Sequence, residues 1–488
     1  MGGSSLGPEV LAAVFGHRAG FPRLRILDST VPAQIKAVEQ TLDLAKTLFI
    51  VSSKSGSTTE PNAFKDYFFK RMADAVGETE AGRHFVAVTD PGSSLETTAR
   101  SQNFRAIFFG VPSIGGRYSV LSPFGLLPAA VAGIDIAALQ SSARTMMRSC
   151  GPDVPPAENP GVALGLALGI AARAGRDKVT IVASPRLADF GAWAEQLFAE
   201  STGKHGKGLI PVDGEPLGVP QLYGDDRFFI SLALAGDAEP DQEERLAKLQ
   251  AAGHPVARIV LETPHDIGQE FFRFEIATAV AGAVIGINPF DQPDVEASKI
   301  KTRELTAAFE KSGALPAETP VFSSKTIDLF ADEANAKALR DGGAGASLES
   351  FLKAHLARLY AGDYFAVLAY LARSDVNAAS LQKARLAVRE RRHVATCLEF
   401  GPRFLHSTGQ AYKGGPDSGV FLQVTSDDAE DLAIPGHRAS FGVVKAAQAR
   451  GDFDVLVERG RRALRAHIKG DLASGLAALE AAIGRALA

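Results

Sequence analysis

A carboxylate and a guanidinium in the first half of the chain could serve proton transfer. Residues 187–204, LADFGAWAEQLFAESTGK, carry apolar side chains at helical spacing, and Gln196 and Glu200 share another face of that helix. Glu200 comes at the predicted helix end, where the negative end of the helix dipole favours proton uptake, as a general base requires. Arg117 follows two glycines in GGRYS and could stabilise an oxyanion or bind phosphate. A solvated glutamate and a surface arginine are the ordinary alternatives.

A hydroxyl-rich loop could hold a phosphate. Residues 48–62 read LFIVSSKSGSTTEPN, an apolar strand followed by a serine- and threonine-rich turn and a helix. Ser57 and Glu60 have the spacing of a capping box, and the free N–H groups of a helix N-terminus suit a phosphate. Glycine–serine turns at residues 2–8 and 90–94 would converge on the same sheet edge. A capped βα turn without a ligand is the alternative, and no P-loop motif is present.

Further polar residues are candidates with weaker support. Gln292 lies in the turn NPFDQP before a predicted helix, and Lys299 lies two turns further along it, where its amine could reach a phosphate or a sugar oxygen. His406 lies in the polar stretch GPRFLHSTGQ, and His205 and His265 are also in predicted loops. A solvated lysine and a structural histidine are the common alternatives.

Composition excludes several classes of protein. The chain has 488 residues, with 52 basic and 56 acidic side chains, so it offers no charge footprint for nucleic acid or an anionic membrane. Its two cysteines, Cys150 and Cys397, predict neither a disulfide scaffold nor a cysteine-rich metal site and suit a reducing cytoplasm. The apolar stretch 276–287 is too short to cross a bilayer, and residues 1–10 do not resemble a signal peptide.

Alternating strand and helix patterns predict an α/β protein with mostly parallel sheets. The predicted strands are 24–27, 48–52, 85–89, 105–109, 178–183, 228–234, 257–261, 364–370, 393–400, 419–425 and 463–468. The predicted helices include 8–15, 33–45, 58–73, 122–147, 187–200, 267–284 and 294–310. We expect a first domain over residues 1–150, a second over 151–315 and a C-terminal α/β region over 316–488.

The first glycine turn lacks the strand that usually precedes it. A parallel α/β unit normally opens with a strand leading into its glycine turn, but here Gly2-Gly3-Ser4-Ser5 follows Met1 at once. The expectation is a chain that lacks its natural beginning; the alternative is a fold without that strand.

Five blocks in order resemble the phosphoglucose isomerase family, namely GGSSLGP, SSKSGSTTEPN, GGRYS, ESTGK and NPFDQPDVEASK. Later segments, FGPRFLHSTGQAYKGGPDSGVFLQ and RASFGVVKAAQARGDF, are similar to the isomerase half of bacterial bifunctional transaldolase/phosphoglucose isomerases. The resemblance implies two doubly wound sugar-isomerase (SIS) domains with a C-terminal α/β extension. It also implies interconversion of glucose 6-phosphate and fructose 6-phosphate in glycolysis and gluconeogenesis, in the cytoplasm.

The resemblance implies a role for each matching residue. Glu200 corresponds to the base that moves a proton between sugar carbons 1 and 2, and Arg117 to the residue that stabilises the enediol intermediate. The phosphate loop corresponds to Ser53, Lys54, Ser55, Ser57 and Thr58. Further substrate contacts correspond to Gly3, Ser4, Gln196, Gln292 and Lys299, the last near the ring oxygen.

One departure concerns ring opening. The family has a histidine after ESTGK at a helix start, whereas this chain has Asp241-Gln242-Glu243 at the comparable place. His406, His265 or His205 could substitute, and His406 has the most polar surroundings. The resemblance implies no metal or organic cofactor, a homodimer with sites built between subunits, and a transaldolase as fusion or partner in longer relatives. A dual phosphoglucose/phosphomannose isomerase and a non-catalytic sugar-phosphate-binding module are the alternatives.

Overall fold

The computed structural model describes residues 2–237 and 239–488. It confirms the prediction of an α/β protein with parallel sheets. No helix in these residues combines the length and apolarity needed to cross a membrane.

The strands of the described residues are β1 (Phe49–Ser52), β2 (Phe85–Thr89), β3 (Ala106–Phe109), β4 (Lys178–Ala183), β5 (Ile210–Val212), β6 (Arg227–Leu234), β7 (Val256–Leu261), β8 (Phe322–Ser323), β9 (Ile327–Phe330), β10 (Tyr364–Tyr370), β11 (Ala395–Phe400), β12 (Gly419–Ser426) and β13 (Arg462–Ile468).

The helices are α1 (Gly3–Phe15), α2 (Pro32–Glu39), α3 (Thr59–Val76), α4 (Glu78–Ala81), α5 (Ser94–Ser101), α6 (Pro123–Val131), α7 (Ile136–Ser149), α8 (Pro160–Arg173), α9 (Ala188–Thr202), α10 (Gln242–Ala251), α11 (Ile267–Ile285), α12 (Pro293–Ser312), α13 (Glu333–Asp341), α14 (Leu348–Leu356), α15 (Asp375–Arg392), α16 (Gly409–Gly414), α17 (Phe441–Glu458) and α18 (Leu472–Leu487).

The strands form separate sheets in the three predicted regions. The first is parallel, in the order β1-β2-β3, and the second is parallel, in the order β5-β4-β6-β7. The third has the order β11-β10-β12-β13-β9-β8, parallel as far as β13 and antiparallel in β9 and β8. In the second sheet and in the parallel part of the third, the first parallel strand in the chain, β4 or β10, lies inside the sheet, as in a doubly wound fold. The domain boundaries themselves stay predictions.

Helices from the first region pack on the second sheet rather than on their own. Leu6, Val10 and Val14 of α1 are buried in one core with Trp193 and Leu197 of α9. This packing places the start of α1 beside the end of α9.

The C-terminal region packs against the first sheet as well as the second. Phe441 of α17 stacks on Phe64 of α3 and meets Tyr67 edge to face, and it is buried in the core of the first sheet. This contact joins the first region to the C-terminal region, which are far apart in the sequence.

An apolar groove of about 560 Å³ runs along the free edge of β1. We call it the β1 groove; its walls include Leu24, Ile26, Ile50, Phe64 and Phe68. Residues 24–27, predicted as a strand, run along it without pairing to any described strand, and they appear in none of the backbone–backbone hydrogen bonds outside regular elements. The strand prediction for 24–27 is therefore wrong, because these residues pair with no strand among the described residues.

Two other local predictions are corrected. The helix predicted over 122–147 is two helices, because Gly133 adopts a φ of +82° after α6 and the Asp135 carboxylate then caps α7 by accepting from the Ala138 N–H. The Ser57–Glu60 capping box does not form: α3 begins after Thr58 with no side-chain cap, and the Glu60 carboxylate turns away into the interior.

Candidate active site

The end of α9 carries the candidate base. Glu200 is 8% exposed, and its Oε2 accepts a hydrogen bond of 3.0 Å from Gln196 Nε2, one turn earlier on the same helix face. The packed apolar face of α9, with Trp193 and Leu197 fully buried, fixes the helix and so the direction of both polar side chains. A carboxylate held in place and shielded from bulk water is suited to general base catalysis.

Arg117 lies directly against this carboxylate. Its Nη1 is 3.5 Å from Glu200 Oε1, and the guanidinium is 3% exposed. Nε donates to Ser201 Oγ at 2.7 Å, Nη1 to Gln292 Oε1 at 2.8 Å and Nη2 to the Pro289 carbonyl at 2.7 Å. The planar fork of donors therefore joins the GGRYS turn, α9 and the NPFDQP turn, which a single ammonium could not do.

The hydroxyl-rich loop lies between β1 and α3. Ser53 is buried, Ser55 and Ser57 are exposed, and Ser55 Oγ lies 2.8 Å from Ser57 Oγ. Gly56 has a φ of +70°, and a Cβ there would lie 2.4 Å from the Leu95 nitrogen. The N-cap residue Thr58 makes no side-chain cap on α3, and the helix begins directly after this loop.

Lys54 supports the loop rather than facing out of it. Its Nζ pairs with Asp90 Oδ2 and donates to the Val111 carbonyl at 3.0 Å. The turn at residues 90–94 thus lies beside the hydroxyl-rich loop, as the parallel strand order predicts.

His406 contacts both α3, which follows the hydroxyl-rich loop, and α9, which carries Glu200. Its Nε2 lies 3.0 Å from Glu60 Oε1, and its backbone carbonyl accepts a hydrogen bond of 2.8 Å from Gln196 Nε2. Glu60 is 3% exposed. Burial opposes ionisation of this carboxyl, but the charge of His406 and its hydrogen bond outweigh burial and lower the pKa of Glu60 to about 2. A continuous path of contacts runs from Glu60 through His406 and Gln196 to Glu200.

The first turn of α1 completes the site. A Cβ at Gly2 would lie 2.6 Å from Gln196 Nε2 and 2.9 Å from the His406 carbonyl, and one at Gly3 would lie 1.9 Å from the Gly116 carbonyl. Only glycine fits this close approach at either position. Ser4 lines the β1 groove instead.

Not all of the candidate site residues lie near Glu200 and Arg117. Gln292 contacts Arg117, but Lys299 is 41% exposed and its Nζ lies 3.7 Å from Glu296 Oε2. His205 is exposed and His265 packs edge to face against Phe15. Of the candidate histidines, His406 is the one that contacts the groups around Glu200.

Sequence reasoning missed two residues of this arrangement. Glu60 was interpreted as part of a cap, and only its contact with a residue 346 positions away reveals its partner. Lys204 of ESTGK is fully buried and donates to the Asn288 carbonyl and to Asp291 Oδ1, each at 2.6 Å, which fixes the NPFDQP turn beside Arg117. A lysine following an active-site helix gave no local signal of burial.

The fold and the site together define an α/β protein with a buried carboxylate–guanidinium pair that is linked through Gln196, His406 and Glu60 to the helix after a hydroxyl-rich loop. Residues 1–209 match the family model for phosphoglucose isomerase. A glucose-6-phosphate isomerase of Rubrobacter xylanophilus is 33% identical over 347 residues, 61% of this chain and 79% of that protein. One of Thermus thermophilus is 31% identical over 352 residues, 63% of this chain and 82% of that protein. The chain belongs to the phosphoglucose isomerase family.

Solved structures agree with this fold. A hypothetical protein from Thermus thermophilus is similar with a TM-score of 0.56 and 29% identity, over 62% of this chain and 81% of that one. A glucose-6-phosphate isomerase from Chlamydia trachomatis has a TM-score of 0.53 and 22% identity, over 63% and 68%. Glu60, Arg117, Gln196 and Glu200 lie within the residues that match the family model, whereas His406 lies outside them.

Proposed function

We propose that this protein interconverts glucose 6-phosphate and fructose 6-phosphate. The observation that carries the proposal is the buried pair of Glu200 and Arg117, 3.5 Å apart. An aldose–ketose isomerisation needs a base next to a cation, because the proton leaves a carbon beside a carbonyl and negative charge develops on its oxygen. Family membership and the names of the relatives support the same substrate pair.

The proton transfer is assigned to Glu200. Its carboxylate takes the proton from C2 of the open-chain aldose, and the electron pair forms the C1–C2 double bond of an enediolate as the C1 carbonyl becomes an oxyanion. A proton passes from O2 to O1, the C2 carbonyl forms, and Glu200 delivers a proton to C1 to give the ketose. Arg117 stabilises the enediolate oxygen, and its hydrogen bonds keep the guanidinium in place without reorganisation.

The phosphate is assigned to the hydroxyl-rich loop. Ser55, Ser57 and Thr58 supply hydroxyl groups, and the uncapped start of α3 supplies N–H groups and the positive end of the helix dipole. Binding energy from the phosphate fixes the reacting carbons against Glu200, which raises the rate of the chemical step.

Ring opening is assigned to His406. The substrate is mainly cyclic, and opening it moves a proton from the C1 hydroxyl to the ring oxygen. Within the described residues, His406 is the one candidate histidine that contacts both helices. Its ring contacts Glu60 of α3, and its backbone carbonyl accepts a hydrogen bond from Gln196 of α9. This contact pattern supports His406 over His205 and His265.

A coupled assay tests the proposed reaction. Fructose 6-phosphate is supplied, and formation of glucose 6-phosphate is followed by its oxidation with an added dehydrogenase. We expect turnover that saturates with substrate and is competitively inhibited by a non-isomerisable sugar phosphate. No turnover in this chain or in one extended ahead of Met1 would overturn the enzyme assignment.

We also propose that a β-strand carried by an extension ahead of Met1 occupies the β1 groove. The groove has the free edge of β1 on one side and unpaired residues 24–27 on the other, and its start meets Ser4 and Ser5 of α1. An apolar strand parallel to β1 would pair with both sides and lead into Gly2. The extended chain is expected to unfold at a higher temperature than this one. Equal melting temperatures would contradict the strand proposal alone.

The physiological setting is a proposal of the same kind. We propose a cytoplasmic enzyme of glycolysis and gluconeogenesis that forms a homodimer and that is joined to a transaldolase in longer forms. Membership of the family supports the metabolic role. Light scattering on the purified chain measures the assembly, and a monomer at micromolar concentration would contradict the dimer.

A further inference from the structure

A buried glutamine from the C-terminal region contacts the partner of His406. Gln448, on α17, donates from Nε2 to Glu60 Oε1 at 2.7 Å, and its Oε1 accepts a hydrogen bond of 2.7 Å from Thr30 Oγ1. Gln448 is 2% exposed and Thr30 is fully buried. Gln448 lies outside the residues that match the family model.

The charge of Glu60 sets the orientation of the Gln448 amide. Turned the other way, the amide would place its oxygen against a carboxylate, with two acceptors facing each other in a buried place. With Nε2 toward Glu60, the amide oxygen faces the Thr30 hydroxyl, which donates to it. In this orientation Thr30 donates a hydrogen bond to the Gln448 amide, and the Gln448 amide donates one to Glu60.

The Glu60 carboxylate, which Gln448 holds in place, decides which nitrogen of His406 carries a hydrogen. Glu60 Oε1 accepts from Gln448 and lies 3.0 Å from His406 Nε2. An ionised carboxylate has no hydrogen to give, so the histidine nitrogen facing it must be the donor. The other ring nitrogen, Nδ1, makes no hydrogen bond to the described part of the chain.

We propose that Gln448 and Thr30 are positioning residues that hold His406 with its hydrogen on Nε2, so that Nδ1 is the atom that transfers the proton during ring opening. The proposal rests on the ring-opening role assigned to His406. In the step, Nδ1 takes the proton of the C1 hydroxyl as the C1–O1 double bond forms. The electron pair of the broken C1–O5 bond goes to O5, which takes that proton back from Nδ1.

Anomer exchange measures ring opening without the isomerisation. Opening and reclosing the ring interconverts the α and β forms of glucose 6-phosphate and involves no proton transfer at C2. In a Glu200→Gln background, exchange spectroscopy on the sugar signals therefore measures the rate of ring opening, the step assigned to His406. We expect Gln448→Met to lower the enzyme-catalysed exchange rate about tenfold while sugar-phosphate affinity stays within twofold.

A matched variant separates positioning from packing. Gln423 on β12 is another buried glutamine; it donates to the Ala449 carbonyl and makes no bond to Glu60. Gln423→Met is expected to leave the exchange rate within twofold. Equal losses in both variants, or no loss in Gln448→Met, would overturn the proposal. Should Gln448→Met fail to fold, Thr30→Val removes the donor that fixes the amide and is expected to lower the rate about threefold.

The tautomer of His406 can be observed directly. In protein labelled with ¹⁵N-histidine, the His406 signals are identified by their loss in His406→Gln. We expect the wild-type protein to show a protonated Nε2 and, when neutral, an unprotonated Nδ1, and Gln448→Met to show a mixture of tautomers. A hydrogen on Nδ1 in neutral wild-type His406 would overturn the proposal.

The same assay distinguishes an error in the ring-opening role of His406 from an error in the positioning role of Gln448. If His406→Gln keeps the anomer exchange of its Glu200→Gln parent, the ring-opening role of His406 is wrong. If His406→Gln loses exchange and Gln448→Met keeps it, only the positioning role is wrong.

Discussion

At the scale of single residues, the site depends on side chains that each contact one close partner. Glu200 has Arg117, and Glu60 has His406. Each pair is nearly excluded from solvent, so removing one partner leaves a buried polar group without its contact.

Replacing Arg117 with lysine tests the need for a guanidinium fork. Lysine keeps the charge but cannot donate at once to Ser201, Gln292 and Pro289. We expect kcat for fructose 6-phosphate to fall about a hundredfold with a smaller change in KM. Arg186→Lys is the control, because Arg186 donates to the Val14 carbonyl away from the site. Wild-type kcat in Arg117→Lys would contradict its role.

The pKa of Glu60 predicts a pH-dependent stability. Because this pKa falls from its ordinary 4.5 to about 2 on folding, the ionised carboxylate stabilises the folded state above pH 4.5, and this is lost as the pH falls toward 2. Urea unfolding should therefore show wild type more stable than Glu60→Gln at pH 6. The advantage, on the order of 3 kcal/mol, should shrink below about pH 4.5. The exposed Glu78→Gln serves as control, and an advantage that is constant with pH would contradict this origin.

At the scale of elements, the turn between β1 and α3 sets the anion site. Gly56 needs its positive φ and has the Leu95 backbone against it, whereas Gly77, at the other end of α3, has a φ of +91° and open space around it. A side chain at Gly77 would therefore cause backbone strain alone, whereas one at Gly56 would also clash with the Leu95 backbone.

Gly56→Ala is expected to raise KM for glucose 6-phosphate about tenfold and to destabilise the fold by about 2 kcal/mol, since the new methyl group displaces the loop. Gly77→Ala is expected to cost about 1 kcal/mol from strain alone, with KM unchanged. Steady-state kinetics and urea unfolding measure both. A KM that rises equally in the two variants would show that the loop position is not the cause.

Elements were predictable where their signal was local. The α9 helix, its Gln196–Glu200 face and most parallel strands follow from apolar periodicity, and the resemblance placed Arg117 beside Glu200. The Glu60–His406 contact was not predictable, because its two halves are 346 positions apart and the local pattern favoured a capping box. Residues 24–27 have strand-forming side chains, but a strand also needs a paired edge, which sequence composition does not report.

At the scale of the whole molecule, one chain supplies every group assigned to the reaction. The path from Glu60 through His406 and Gln196 to Glu200 lies within a single chain, because α17 and the 401–415 segment pack on the first two regions. The expectation of sites built between subunits stays a prediction, and the alternative suggested by these contacts is a homodimer in which each chain forms its own site.

Mixing two inactive variants tests this arrangement. Glu200→Gln and His406→Gln are unfolded and refolded together, and isomerase activity is measured. With each site formed by one chain, we expect the mixture to stay as inactive as its components. Sites that shared residues between subunits would instead regain about a quarter of wild-type activity, from the statistics of mixed dimers.

The central claim is that Glu200 moves a proton between C1 and C2 of a sugar phosphate. Proton NMR of fructose 6-phosphate in D₂O measures this directly, since a base that exchanges with solvent places deuterium at C2 of the glucose 6-phosphate formed. We predict deuterated product with the wild-type protein. With Glu200→Gln we predict neither product nor exchange, although the variant still binds the sugar phosphate. Product formation at the wild-type rate by Glu200→Gln would contradict the account.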